Sequence, residues 1–253
     1  MEEEKTTNNK NLTVVGIILS LLLAGGAVYY FKNYSTSTPQ TAGPTIEETK
    51  DIPQEKPQPT TVWDIIKPIT ADDHILGSPE AKLTIVVYSD IECVYCKKFH
   101  STMEQIIEEY GKNGSVRWIY RHFPLKQSHP TAPKEAEATE CAAELGGNAK
   151  FWEYMNKLNN NFTPSQTNLT NQLTDIAGEL GLDKNEFKAC LESGRHAPKI
   201  ARNGQEAVNL GAKGTPFSII IDPEGKIAPI PGALPYEQLK EVIELVLKSF
   251  ENQ

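Results

Sequence analysis

Cys93-Val94-Tyr95-Cys96 stands between two segments of opposite character. Before it runs Leu83-Thr84-Ile85-Val86-Val87-Tyr88, a β-branched stretch that reads as a buried strand. After it, Cys96, Phe99, Met103, Ile106 and Tyr110 recur at three- and four-residue spacing, the stripe of an amphipathic helix. The two cysteines therefore occupy a strand-to-helix turn, with the first at the helix start. Unpaired N–H groups and the helix dipole favour a thiolate there. Three residues is nearly one helical turn, so both sulfurs share a face and lie within bridging range. Cys96 belongs to the apolar stripe and is expected to be the hidden thiol; Cys93 is expected to be exposed. The arrangement predicts a redox-active dithiol.

Other elements surround this turn. Gly111 and Gly114 end the helix, and the alternating Ser115-Val116-Arg117-Trp118-Ile119-Tyr120-Arg121 reads as a second strand. Phe217 to Ile221 is a third strand. Asp222-Pro223-Glu224-Gly225 closes it with a hairpin-type turn, and Lys226 to Ile230 follows as a fourth. A weak extra strand is expected around Lys67 to Thr70. Helical stretches broken at Gly146-Gly147, Thr163-Pro164, Gly181 and Gly194 fill residues 126–210, and Pro235 to Phe250 is the last helix. The order is βαβ, a block of helices, then ββα. That order predicts an α/β domain with a central mixed sheet and a helical insertion, spanning residues 62–253.

The N-terminal quarter differs in composition. Residues 12–31, Leu12 to Phe31, carry no charge and are long enough to span a bilayer as a helix. Tyr29, Tyr30 and Phe31 resemble an interfacial belt, and Lys5 and Lys10 in the tail of residues 1–11 favour an inside N-terminus. A cleaved signal peptide is the alternative, with Ala24-Gly25-Gly26-Ala27 supplying small residues; the apolar run continuing past them favours an anchor. Residues 32–61 are rich in Pro, Thr and Ser and read as a flexible linker with a reach of roughly 30 Å. The expectation is a single-pass protein of the cell membrane with an extracytoplasmic C-terminal domain.

Export bears on the four cysteines, because thiols outside the cytoplasm tend to pair. Three pairings exist; the local Cys93–Cys96 pair leaves Cys141 with Cys190, the simplest assignment. A second Cys-x-x-Cys or Cys/His pair is missing, so no metal is expected, and His74, His100, His122, His129 and His196 show no ligand spacing. Asp90 and Glu92 read as solvated loop acids rather than proton shuttles. Phe151-Trp152-Tyr154 reads as core. The net charge of −8 excludes nucleic acid as a partner.

Four stretches occur in one order across roughly residues 68–250. They are Gly77-Ser78-Pro79 through Cys96, Tyr120-Arg121-His122-Phe123-Pro124-Leu125, Cys141-Ala142 with Lys150-Phe151-Trp152-Glu153-Tyr154, and Gly211-Ala212-Lys213-Gly214-Thr215-Pro216-Phe217. Together they resemble the DsbA-like thioredoxin-fold thiol:disulfide oxidoreductases. The resemblance implies a thioredoxin fold in which Cys93 is the nucleophile and Cys96 resolves. It places Thr215-Pro216 as a cis-proline loop whose backbone captures an extended peptide, and Cys141–Cys190 as a structural disulfide. No cofactor is implied. The implied partners are reduced or misfolded secreted proteins and a membrane quinone-linked re-oxidase of the DsbB or vitamin K epoxide reductase type.

The chain departs from the family pattern at Val94, where DsbA-like proteins often carry Pro, and at Tyr95, where strong oxidants of the family can carry His. Neither residue offers a cation to Cys93, and Glu92 is expected to raise its pKa, so a milder oxidant is expected. Disulfide formation in secreted proteins is the leading function. An isomerase or reductase is the alternative, followed by a non-catalytic peptide-binding module.

Overall fold

The computed structural model describes residues 66–251. The expected tail, membrane-spanning segment and linker of residues 1–61, and the first four residues of the expected domain, lie outside the described residues. The chain divides into two units, Met1–Glu55 and Lys56–Gln253, and every described residue belongs to the second. No helix among the described residues is long and apolar enough to cross a membrane.

Strand β1 (His74–Leu76) is followed by β2 (Leu83–Ser89), α1 (Val94–Ile106) and β3 (Val116–His122). Helices α2 (Ala132–Asn161), α3 (Leu169–Glu179), α4 (Lys184–Ser193) and α5 (Ala197–Asn209) come next. The chain then returns through β4 (Phe217–Ile221) and β5 (Ile227–Ile230) to α6 (Tyr236–Glu251). The five strands form one mixed sheet in the order β1-β3-β2-β4-β5. Strands β2 and β3 are parallel, Val86 facing Ile119, and the β1–β3, β2–β4 and β4–β5 pairs are antiparallel. This is the expected thioredoxin fold with helices α2 to α5 inserted between its halves.

Strand β2 is central and every one of its residues is buried. Its period of two separates the sheet's faces. Leu83, Ile85 and Val87 join Val116, Trp118 and Tyr120 in the main core under α1, α2 and α6. Val86 and Tyr88 join Ile119, Ile219 and Ala207 of α5 in a smaller core on the other face. Strand β5 is an edge, which tolerates Pro229 in its ladder. The 30-residue α2 is two helices joined at a kink, where Gly147 takes φ 75°, a conformation that L side chains rarely adopt.

The expected strand at Lys67 to Thr70 does not form; the strand is His74–Leu76, which pairs with β3. Pro68 has no N–H for a ladder. The Lys67 backbone is already engaged, its N–H donating to Glu206 Oε1 at 2.7 Å and its carbonyl accepting from Arg121 Nη2 at 3.3 Å.

Two buried polar hubs tie the insertion to the sheet. Glu140 of α2 accepts from Nε2 of His74 and Nε2 of His122, both at 3.0 Å, and from Lys199 of α5 at 2.7 Å. Burial opposes its charge, but the hydrogen bonds from His122 and His74 hold it far below the usual carboxylate range. Burial lowers both histidines, which keeps the rings neutral. On the opposite face, Arg121 meets Asp73 in two contacts of 2.8 and 3.0 Å and Glu206 of α5 at 2.7 Å.

Candidate active site

Cys93 is the residue just before α1, in extended conformation, where the first N–H groups of the helix are unpaired. The Thr215–Pro216 peptide is cis and immediately precedes β4, the strand beside β2. Adjacent strands therefore deliver both loops to one end of the sheet, and Cys93 Sγ lies 3.5 Å from the Thr215 carbonyl oxygen, to which it donates only in its protonated form. Cys93 and Cys96 are both unbridged thiols.

The two sulfurs lie in different environments. Cys93 is pushed down to about 5, first by the Cys96 thiol donating to it. Burial works against this, while the N–H groups of Cys96 and Tyr95 and the Thr215 side chain add to it. Burial drives Cys96 far up, and as a thiol it supplies the proton that Cys93 accepts. Cys96 Sγ also receives the Asp90 N–H at 3.5 Å. One cysteine is thus poised as a thiolate and its neighbour as a thiol.

Two expectations need correction. Cys93 is 8 % exposed against 3 % for Cys96, so the nucleophile is reached through a narrow opening rather than displayed on the surface. The exposed atoms belong to Val94 and Tyr95, at 63 % and 64 %. Asp90 is not a solvated loop acid but 1 % exposed. Its Oδ1 accepts the Glu92 N–H, and its Oδ2 accepts the Leu125 N–H at 2.6 Å and His129 Nδ1 at 2.9 Å. Glu92 is half-buried and takes the Thr131 hydroxyl at 2.6 Å.

His129 was not foreseen as part of this site. Partial burial opposes its charge, but the Asp90 hydrogen bond and the charges of Asp90, Glu92 and Cys93 raise it above its ordinary value. The histidine of this site therefore comes from the loop after β3 rather than from position 95. Glu135, also unforeseen, is 1 % exposed and is pushed up to about 7 by burial and by the charge of Glu92. The adjacent His129-Pro130 and the Thr131 hydroxyl gave no signal beyond a loop composition, because their partners lie 39 residues back in the chain.

Cys141 on α2 and Cys190 on α4 form a disulfide closing a separation of 49 residues. They bring sulfurs within 4.8 Å of a His196 nitrogen, but both are tied up in the bond and neither is a thiolate ligand. Phe151, Trp152 and Tyr154 are buried, with Tyr154 donating to the Leu173 carbonyl at 2.7 Å.

A dithiol at the first turn of α1, faced by a Thr-Pro loop on the neighbouring strand, defines a thioredoxin-type domain. The chain belongs to the thioredoxin family, whose profile matches residues 70–244, and its resemblance to the DsbA-like members holds. It is similar to α-DsbA1 of Wolbachia pipientis, at 24 % identity and TM-score 0.65, covering 75 % of this chain and 97 % of that one. Oxidised BdbD of Bacillus subtilis gives 22 % identity and TM-score 0.61, covering 70 % and 94 %. The catalytic domain of Proteus mirabilis ScsC gives 25 % identity and TM-score 0.58, covering 71 % and 91 %. Among curated proteins, the Na(+)/H(+) antiporter NhaA 3 of Salinispora tropica is 35 % identical over 159 residues, 61 % of this chain and 22 % of that protein. NhaA of Herminiimonas arsenicoxydans is 35 % identical over 144 residues, 57 % and 21 %. The chain spans about a fifth of the length of these curated relatives.

Proposed function

We propose that this protein is a thiol–disulfide oxidoreductase that introduces disulfides into exported proteins, held at the membrane by residues 12–31. The observation that carries the reading is the opposed state of the two sulfurs. Cys93 is pushed down to about 5 at the helix start, and Cys96 is held as a thiol beside it.

In the oxidised protein, a substrate thiolate attacks Cys93 and Cys96 leaves as its thiol after taking a proton. The mixed disulfide at Cys93 is then attacked by a second substrate thiol, and Cys93 leaves as a stabilised thiolate. Two electrons pass from two substrate thiols to the Cys93–Cys96 bond. A stabilised leaving thiolate favours the reduced dithiol and so favours oxidation of the substrate. Pro216 is buried against the site, and the Thr215 backbone supports an extended peptide by strand addition. Val94 and Tyr95 supply exposed apolar surface beside the sulfur. Re-oxidation falls to a membrane quinone-linked enzyme, for which a tether raises the effective concentration.

The test is Cys96→Ala in the full chain expressed in its host. Proteins disulfide-linked to Cys93 should accumulate, and the wild-type dithiol should be oxidised at rest. A wild-type dithiol that is reduced at rest overturns the direction, and a variant that traps nothing overturns the enzyme.

A further inference from the structure

Thr131 places one hydroxyl between two carboxyl groups. Its Oγ1 lies 2.6 Å from Glu92 Oε1 and 3.1 Å from Glu135 Oε1. The hydroxyl has one proton to share between the two carboxylate oxygens it donates to. Two carboxyl groups competing for one donor favour the neutral form of the one that water reaches least. Burial selects Glu135, which is 1 % exposed and whose Oε2 has no hydrogen-bond partner, over the half-buried Glu92. The shorter contact agrees, marking Glu92 as the acceptor of the hydroxyl proton. The chain runs from Glu135 through Thr131 to Glu92, the residue bonded to Cys93. Burial and the Glu92 charge shift Glu135 upward, outweighing the lowering by the Thr131 hydrogen bond.

The charged and titratable groups facing Glu135 come from each element around it. Asp90 and Glu92 lie on the loop before α1, Lys97 on α1, Tyr120 on β3 and Tyr154 on α2. Tyr120 feels Cys96, Asp90 and Glu135 together, which puts the acid and the dithiol in one electrostatic neighbourhood.

We infer that Glu135 is a redox-linked proton site: it binds the proton released when the Cys93–Cys96 disulfide is reduced and returns it on re-oxidation. The inference rests on the oxidoreductase reading. Reduction of the disulfide by two substrate thiols yields a substrate disulfide, the Cys93 thiolate, the Cys96 thiol and one free proton. The new thiolate adds negative charge next to Glu92, whose own charge already raises Glu135, and like charge favours the neutral carboxyl. By linkage, reduction raises the affinity of Glu135 for the proton and protonation of Glu135 favours reduction.

The experiment is redox-difference infrared spectroscopy of the full chain across pH, read at the protonated-carboxyl stretch. On reduction near neutrality the band should grow, its midpoint should be higher in the reduced than in the oxidised protein, and Glu135→Gln should abolish it. Thr131→Val should raise the midpoint by removing the hydroxyl that donates to the carboxylate. A band that is equal in both redox states, or that survives in Glu135→Gln, overturns the inference. The wild-type spectra decide alone if neither variant folds. Alkylation of Cys93 is measured in parallel: slow alkylation sinks the oxidoreductase reading, and fast alkylation with a silent carboxyl sinks only the role of Glu135.

Discussion

His129 Nδ1 lies 2.9 Å from Asp90 Oδ2, joining the loop after β3 to the loop that carries Cys93. The Asp90 hydrogen bond and the Cys93 charge both raise the proton affinity of this imidazole, without a histidine inside the Cys-x-x-Cys motif. His129→Asn keeps a donor for Asp90 and removes the charge. It should raise the Cys93 midpoint by about one unit, read from the pH dependence of its alkylation rate. An unchanged midpoint removes His129 from the electrostatics of the site.

The reduction potential should fall between those of thioredoxin and DsbA. Their nucleophile pKa values of about 7 and about 3.5 accompany potentials of about −270 and about −120 mV. With Cys93 pushed down to about 5, interpolation gives a potential of about −160 to −190 mV. Equilibration with glutathione measures it; a value at or above about −120 mV contradicts the expectation of a milder oxidant.

Stability should respond to Glu135 in a defined pH window. Its carboxyl rises from 4.5 to about 7 in the folded protein, through burial first and the Glu92 charge second. A raised acid binds its proton more tightly when folded, so the wild type loses stability as pH climbs from 4.5 to about 7 and then levels off. Glu135→Gln should gain on the order of 2–3 kcal/mol over the wild type at about pH 8 and almost nothing at about pH 4. Urea denaturation at the two pH values reads the difference, and equal stabilities at about pH 8 refute it.

Removing Glu140 should be costly. Glu140→Ala leaves the Lys199 ammonium and the His74 and His122 N–H groups without their shared acceptor. A loss of about 3–5 kcal/mol is expected in denaturant unfolding. A loss below about 1 kcal/mol would mean water replaces the carboxylate without strain.

Replacing both Cys141 and Cys190 with Ser opens a loop of 49 residues. Chain entropy puts the cost at about 4 kcal/mol. The Cys93 alkylation rate should stay the same, because the bridge joins α2 to α4 and does not touch the dithiol loop. A slowed Cys93 would show that the bridge positions the site.

The core elements were legible because short-range pattern decides them. Phe217–Ile221 matches its apolar run residue for residue, and the stripe through Cys96, Phe99 and Met103 is buried as its spacing requires. Legibility stopped where long-range partners decide. Lys67–Thr70 looks extended, yet Glu206 and Arg121, far along the chain, take its backbone groups. Asp90 carries the composition of a surface loop, and only the fold reveals that Leu125 and His129 bury it. The Arg121-His122 dipeptide was visible as a motif without a reason. Its two side chains point to opposite faces of β3, each into its own acidic hub.

Those hubs bear on any attempt to pare the protein down to a minimal oxidoreductase. Excising α2 to α5 would take away Glu140, Lys199 and Glu206 together. It would leave two imidazoles without their shared carboxylate and Arg121 with Asp73 as its remaining acid. The inserted helices therefore supply acceptors to the strands beneath them, and a truncated version would need His74 and His122 redesigned as apolar residues before it could stand alone.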